Sequence, residues 1–286
     1  MKFGEVHCAQ LDGAPPTVIT AAAPRGESGI SLLRMRFKHA AYFSGTMRQH
    51  LVFLQMSPEL RLKCQIGEHH LVHAPRFGAV AICPAGIDCS VESDTDMDTL
   101  VLAIEPGRLT LAAAEDDAPQ ARLNERLSGY DAELFAIAKQ LMAETKDGYP
   151  NGPLFWSEIG DEFMSHLVNG HASLPTRLPR GAISPAALKR IRDYIAANLA
   201  ETIEVSALAE LTGRSPFHFT RVFARSVGMT PHRYVVHLRL QVAVARIREG
   251  RSGLADIAAE TGFSDQSHLS RWIRRVHGVA PSNIRL

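Results

Sequence analysis

The chain has 286 residues, 45% of them apolar and 21% charged, which excludes wholesale disorder and leaves room for two domains. No apolar run approaches the ~20 residues of a membrane span, the N-terminus shows no apolar leader, and the four cysteines lack the CxxC spacing of a zinc knuckle, so a reduced cytoplasmic protein is expected. The net charge of +1 conceals an asymmetry: residues 180–286 hold 16 Lys and Arg against 8 Asp and Glu, and residues 1–179 hold 15 against 22. A basic module joined to an acidic one points to a polyanionic partner for the C-terminal part, with a solvated arginine-rich surface as the alternative.

From about residue 28 to 105 the chain reads as strands. LVFLQM, LRLKCQI, HHLVHA, GAVAICPAG and DTLVLAIEP are short apolar or alternating runs separated by turn residues, a spacing that suggests a β-sandwich or a small barrel. His69, His70 and His73 are out of phase for one face of a strand, so no metal site is expected. No nucleophile elbow, P-loop or dinucleotide fingerprint appears, and neither a cofactor nor an enzyme is expected. The acidic run Glu92–Asp98 reads as a solvated hairpin tip. Cys83 and Cys89 flank PAGID; a hairpin there brings two thiols face to face, as a redox pair or as two ordinary reduced cysteines. Residues 131–145 and 153–168 have helical periodicity. Their Leu134, Phe135, Leu141, Phe155, Trp156 and Phe163 suit packing on the strands or a dimer surface.

Ser173–Pro185 holds three prolines and a glycine and marks a boundary. Residues 1–172 are expected to form one domain, 173–183 a linker and 184–286 a second domain. There Ser184 and Pro185 form an N-cap and first helical position, and Leu188, Ile191, Tyr194, Ile195 and Leu199 keep helical spacing. VSALAELTG and GLADIAAETG read as short helices and His232–Gly250 as a long one.

Two segments of this region repeat. Ala209, Thr212 and Gly213 match Ala258, Thr261 and Gly262 at an offset of 49. After a one-residue insertion, Ser215, His218, Phe219, Arg221, Phe223, Arg225, Gly228 and Pro231 match Asp265, His268, Leu269, Arg271, Ile273, Arg275, Gly278 and Pro281 at an offset of 50. Each unit is a short helix, a tight glycine turn, a capped helix and a glycine stop, which is the helix-turn-helix signature. Phe219, Val222, Phe223 and Val227, and in the second copy Leu269, Trp272, Ile273 and Val276, form the expected buried stripes. The opposite faces carry Phe217, His218, Thr220, Arg221 and Arg225, and Gln266, Ser267, His268, Ser270, Arg271 and Arg275. Arginine pairs with guanine, glutamine with adenine, and phenylalanine meets a thymine methyl, so these eleven are the expected DNA-contacting residues. Arg221 and Arg271 are expected to read bases and Arg225 and Arg275 to meet phosphate. A packing or capping role for His218 and His268 is the alternative.

The stretch Ile257–Arg285, IAAETGFSDQSHLSRWIRRVHGVAPSNIR, resembles the C-terminal pattern of the AraC/XylS family of bacterial transcription regulators. Leu269 and Ile273 replace the usual aromatics and Ile284 stands where tyrosine is common, all with apolar character kept. The resemblance covers residues 184–286. It implies an α+β protein: two helix-turn-helix subdomains joined by a long helix, their recognition helices in successive major grooves, and an N-terminal cupin-like β-barrel with flanking helices. It further implies a transcription regulator, activator or repressor, whose partners are double-stranded DNA and RNA polymerase, with a small-molecule effector or a homodimer acting through the N-terminal domain. A cupin-type enzyme with a helical tail is the rival reading.

Overall fold

The structure, a computed structural model, describes residues 6–10, 16–23, 26–38, 41–58, 60–116, 118–146, 149–175 and 181–284. Strands come first: β1 (Val6–Gln10), β2 (Thr17–Ala22), β3 (Ile30–Phe37), β4 (Ala41–Thr46), β5 (His50–Gln55), β6 (Leu62–Ile66), β7 (His69–His73), β8 (Val80–Cys83), β9 (Asp88–Ser93) and β10 (Met97–Ile104). They form two five-stranded antiparallel sheets, in the orders β1-β4-β9-β6-β7 and β2-β3-β10-β5-β8.

Parity along β10 explains the layering. All eight of its residues are buried. Met97, Val101 and Ala103 face the first sheet, and Leu100, Leu102 and Ile104 face a layer of helices. A strand covered on both faces reads as a continuous apolar run. The helical layer is α1 (Pro106–Glu115), α2 (Ala132–Lys146) and α3 (Gly152–His171), with the short pair β11 (Arg122–Leu123) and β12 (Ala172–Ser173) beside it.

Among the described residues no strand of one sheet pairs with the other. The strands therefore form a sandwich, one of the two architectures their spacing suggests, and not the closed barrel that the family resemblance implies. The physical reason lies at β8. Its outer edge is taken by residues 126–130: Val80 N donates to Gly129 O at 2.9 Å, and Ile82 exchanges a pair of hydrogen bonds with Arg126. Those backbone groups are the ones that closure requires.

One further expectation is corrected, an open choice is resolved towards packing on the strands, and the linker bound meets a strand. The acidic run Glu92–Asp98 is not wholly solvated, because Asp98 is buried and accepts from both Arg34 and Arg36 at 2.9 Å. Of the six residues offered for a dimer surface, Leu134, Phe135, Leu141, Trp156 and Phe163 are buried in the core beneath the second sheet, and Phe155 alone is exposed. The expected linker begins inside a strand, where Ser173 pairs with Arg122, and its residues 176–180 lie outside the described residues.

The C-terminal part is helical: α4 (Pro185–Ala197), α5 (Val205–Glu210), α6 (Pro216–Val227), α7 (Pro231–Glu249), α8 (Leu254–Glu260) and α9 (Gln266–His277), closed by a 3-10 turn at Pro281–Asn283. Ser184 caps α4 by accepting from Ala187 N at 3.2 Å. Gly228, Gly250 and Gly278 end α6, α7 and α9 in the left-handed conformation that glycine adopts without a Cβ penalty. Two apolar cores result. One joins α4, α5, α6 and the start of α7 through Phe219, Phe223 and Tyr234; the other joins the rest of α7 with α8 and α9 through Ile247, Leu269 and Ile273. The first core also takes in Leu111 and Ala114 of α1, so the N-terminal half supplies part of the first helix-turn-helix unit.

Candidate nucleic-acid interface

The two units share a burial pattern at the 50-residue offset. Phe219 and Leu269 are fully buried, their neighbours His218, Thr220, His268 and Ser270 are half-buried, and Arg221, Arg225, Arg271 and Arg275 are exposed. The helical period produces this: positions i, i+3 and i+4 face the core, and the residues between them face outward. Phe217 is 82% exposed, the largest value among the exposed large apolar residues. Gln266 and Ser267 are exposed at the start of α9. The eleven residues singled out from the sequence therefore fall on the outward and flanking faces of α6 and α9.

Hydrogen bonds separate the two faces. In α9, Asp265 caps the helix by accepting from His268 N at 2.7 Å. The Trp272 indole donates to His268 Nε2 at 3.0 Å, so that nitrogen is the acceptor and His268 Nδ1 donates to Ser264 Oγ at 3.1 Å. Ser264 Oγ in turn donates to Asp265 Oδ2 at 3.1 Å. Both ring nitrogens of His268 are thus engaged inside the unit, which fits the packing alternative. The first unit has no such chain: Ser215 makes no side-chain cap bond, and Thr220 Oγ1 donates back to Pro216 O at 2.9 Å.

The arginines divide by partner. Arg214 donates to Gly181 O and Ala182 O, and Arg192 to Ala114 O and Glu115 O. Arg239, on α7, bridges Gly262 O of the second unit and Glu201 O of the first. These cations hold the fold and are not free for a polyanion. Arg221, Arg225, Arg271 and Arg274 form no ion pair among the described residues.

Arg275 departs from expectation. Its Nε donates to Glu27 Oε1 at 3.1 Å, and its guanidinium lies over the Trp272 ring at 5.2 Å. Glu27 lies between β2 and β3, in the N-terminal half. Its other carboxylate oxygen pairs with Arg233 of α7, and its backbone N donates to Val276 O at 2.9 Å. Gly26 makes this approach: it sits at φ +106°, and a Cβ there lies 2.5 Å from Val276 O. Two more glutamates repeat the theme. Glu115 accepts from His237 and Gln241 of α7 at 2.7 and 2.9 Å, and Glu158 of α3 pairs with Arg248. Burial raises the Glu115 pKa, but the His237 hydrogen bond and charge outweigh it and hold the carboxyl below its ordinary range. Part of the sequence's charge asymmetry is therefore matched within the chain. Sequence reasoning missed these partners because Glu27 and Arg275 lie 248 residues apart.

A cavity of about 430 Å³ lies at this junction, lined by Glu27, Arg108, Asp161, Arg233, His237 and Trp272 among others. A second cavity, of about 60 Å³ and largely apolar, lies between the two sheets. Among the described residues, Asp131, His166 and His171 are close enough to hold a metal. Their hydrogen bonds account for them without one. Arg126 donates to His171 Nδ1 at 3.1 Å, which leaves the proton on Nε2, pointing at Asp131 Oδ2 at 2.8 Å. Asp131 also caps α2 by accepting from Leu134 N. Of the three histidines weighed from the sequence, His69 and His70 are exposed, and His73 lines the apolar cavity.

A helix-turn-helix domain model matches residues 208–286. The chain is 35% identical over 92 residues to a probable transcriptional regulator, LumQ, of Photobacterium leiognathi, covering 32% of this chain and 37% of that protein. It is 31% identical over 102 residues to the HTH-type transcriptional activator RhaS of Escherichia coli, covering 36% and 37%. The HTH-type regulator GbdR of Pseudomonas aeruginosa is 24% identical over 249 residues, covering 83% and 61%. The chain thus spans less than two thirds of the length of these relatives. ToxT of Vibrio cholerae, solved with an unsaturated fatty acid, aligns over 91% of this chain at 12% identity, with a TM-score of 0.40. The duplicated helices and the domain match agree: residues 208–286 of this chain form a helix-turn-helix domain.

Proposed function

We propose that the chain is a sequence-specific DNA-binding transcription regulator, with α6 and α9 as its two recognition helices. The observation that carries this is the shared exposure pattern of α6 and α9 at a 50-residue offset, with Arg221 and Arg271 outward in equivalent positions. The 19 residues of α7 span about 28 Å. With the widths of the units this suits recognition helices about 34 Å apart, in successive major grooves. Arg221 and Arg271 read bases, Arg225 meets phosphate, and Phe217, Thr220, Gln266, Ser267 and Ser270 flank the contact. The relatives above are named as transcriptional regulators, and none as an enzyme, which weighs against the rival reading.

Residues 1–172 act as the control domain. Glu27, Glu115 and Glu158 tie α7 and α9 to it, so a small effector or a partner copy that shifts these contacts changes how α9 is presented. RNA polymerase is the partner through which an activator of this kind acts, in the cytoplasm. Among the described residues no helix is long and apolar enough to cross a membrane. Site-selection sequencing with purified protein tests the central claim. A bipartite consensus is expected, with binding that weakens by about 0.9 in log–log slope for each phosphate contact. Binding without sequence preference sinks the reading.

A further inference from the structure

The fold places two cysteines together that the DNA-binding reading leaves unused. Cys83 ends β8 in the second sheet, and Cys89 lies near the start of β9 in the first. The intervening turn is tight, with Ile87 N donating to Pro84 O at 3.3 Å and Gly86 N to Met47 O at 2.8 Å. Both side chains point into the space between the sheets, at 0% and 4% exposure. The Cys83 thiol donates to Ile87 O at 3.6 Å, which sets its sulfur over the first residues of β9, and the Cys89 thiol reaches Gly45 O at 3.7 Å. The two thiols sit in one buried apolar cluster at this corner, near enough for each to shift the other's ionisation. We propose that Cys83 and Cys89 are a peroxide-oxidised pair, closing to a disulfide that joins the two sheets at the β8–β9 corner.

The chemistry has an order. Cys89 lines the apolar cavity between the sheets and Cys83 does not, so an oxidant as small as hydrogen peroxide meets Cys89 first. The neighbouring Cys83 thiol holds the Cys89 thiol below its ordinary pKa against the opposing effect of burial, and Cys83 itself is raised by Cys89 and by burial. The Cys89 thiolate attacks one peroxide oxygen, the O–O bond breaks, and the hydroxide released takes the thiol proton and leaves as water. Cys83 sulfur then attacks the sulfenic sulfur of Cys89. The S–O bond breaks, and the departing hydroxide takes the Cys83 proton and leaves as a second water. Two thiols are oxidised by two electrons and one peroxide is reduced. Cys64 is the internal control. It lines the same cavity and contacts His73 Nε2 at 3.7 Å, but burial pushes its thiol up to about 11, which keeps it protonated and slow.

The test uses the full chain. It is exposed to hydrogen peroxide, denatured, alkylated and cut with trypsin. No Lys or Arg lies between Phe77 and Gly107, so both cysteines fall in one fragment and Cys64 in another. The expected fragment is unalkylated and two hydrogens lighter, dithiothreitol restores both alkylation sites, and Cys64 is alkylated throughout. In Cys83→Ser, Cys89 stops at the sulfenic acid, which dimedone traps. The wild-type mapping stands even if that variant does not fold. A disulfide to Cys64 or Cys8, earlier oxidation of Cys64, or two thiols left intact at a peroxide dose that oxidises them in the urea-unfolded chain overturns the proposal.

Discussion

The two helix-turn-helix units are copies in sequence and differ in what surrounds them. The first is built into the molecule: Leu111 and Ala114 of α1 belong to its core, and Gly228 approaches Gly107 so closely that a Cβ there lies 2.2 Å from Gly107 O. The second has a core of its own and is tethered from outside, by Glu27 on Arg275 and Glu158 on Arg248, with Leu154 half-buried at its edge. The two copies keep the helix and its glycine stop but not its N-terminal cap, and each takes its partners from whatever lies beside it.

The sharpest test of that contrast is Leu111→Ala. Leu111 is 1% exposed and lies outside the repeat, yet its loss is expected to destabilise the first unit by about 2–5 kcal/mol. Thermal melting with hydrogen exchange on α6 reads this, and a change below about 1 kcal/mol breaks the claim that α1 completes the unit. Leu154→Ala, at the edge of the second unit, is expected to cost less.

Acid should separate the units next. His277 ends α9, where the first unit has the fully buried Val227 at the 50-residue offset. Burial pushes His277 down to about 4, with the charges of His237, Arg108 and Arg248 adding to the shift. The folded state refuses a proton that the unfolded state accepts below about pH 6.5. Its contribution is therefore intact above pH 6.5 and is lost as pH falls towards 4, by up to about 3 kcal/mol. The second unit should loosen in that window and the first should not. His277→Val should abolish the difference; equal acid sensitivity of α6 and α9 by hydrogen exchange counts against it.

On DNA, Arg221→Ala and Arg271→Ala should each lose about 1–3 kcal/mol of base discrimination, in separate halves of the site and roughly additively. Loss of preference at the same base pairs refutes two independent readers. A smaller effect distinguishes Arg225 from Arg275. Because Glu27 already holds Arg275, Arg225→Ala should weaken binding more than Arg275→Ala does. Glu27→Gln should tighten binding by less than about 1 kcal/mol, as for a partly exposed ion pair. Weaker binding by Glu27→Gln means that the tether helps the DNA-bound form. Smallest of all, Asp265→Ala should lower the melting temperature through its lost cap, and Ser215→Ala should leave it unchanged.

Local chemistry accounts for what was legible in the sequence. The caps at Ser184 and Asp265, the glycine stops and the apolar stripes of α6 and α9 are all set within a few residues, and they fell where the pattern put them, except that Trp272 and Val276 of the α9 stripe are only half-buried. What was missed depends on distant partners. α1 carried a start signal, Pro106 at its first position and an alanine-rich run after it, but nothing nearby announces that Leu111 packs under α6. The choice between sandwich and barrel turned on which backbone groups the edge of β8 meets, and those lie more than forty residues away, at Arg126 and Gly129. For His268 the pattern left DNA contact and packing both open, because its partner Trp272, a turn later, is visible only as apolar in a hydropathy pattern.

The junction between the two cores falls inside one helix. Tyr234 and Val235 of α7 belong to the first core, and Val236, Leu240 and Ile247 to the second. A helix advances by about 1.5 Å and turns by roughly 100° with each residue. One residue inserted after Val235 therefore swings α9 most of the way to the side face while hardly lengthening the span. Any change in the length of α7 alters the phase at which α9 is presented relative to α6, whereas substitutions on the outward faces of α6 and α9 leave that phase unchanged.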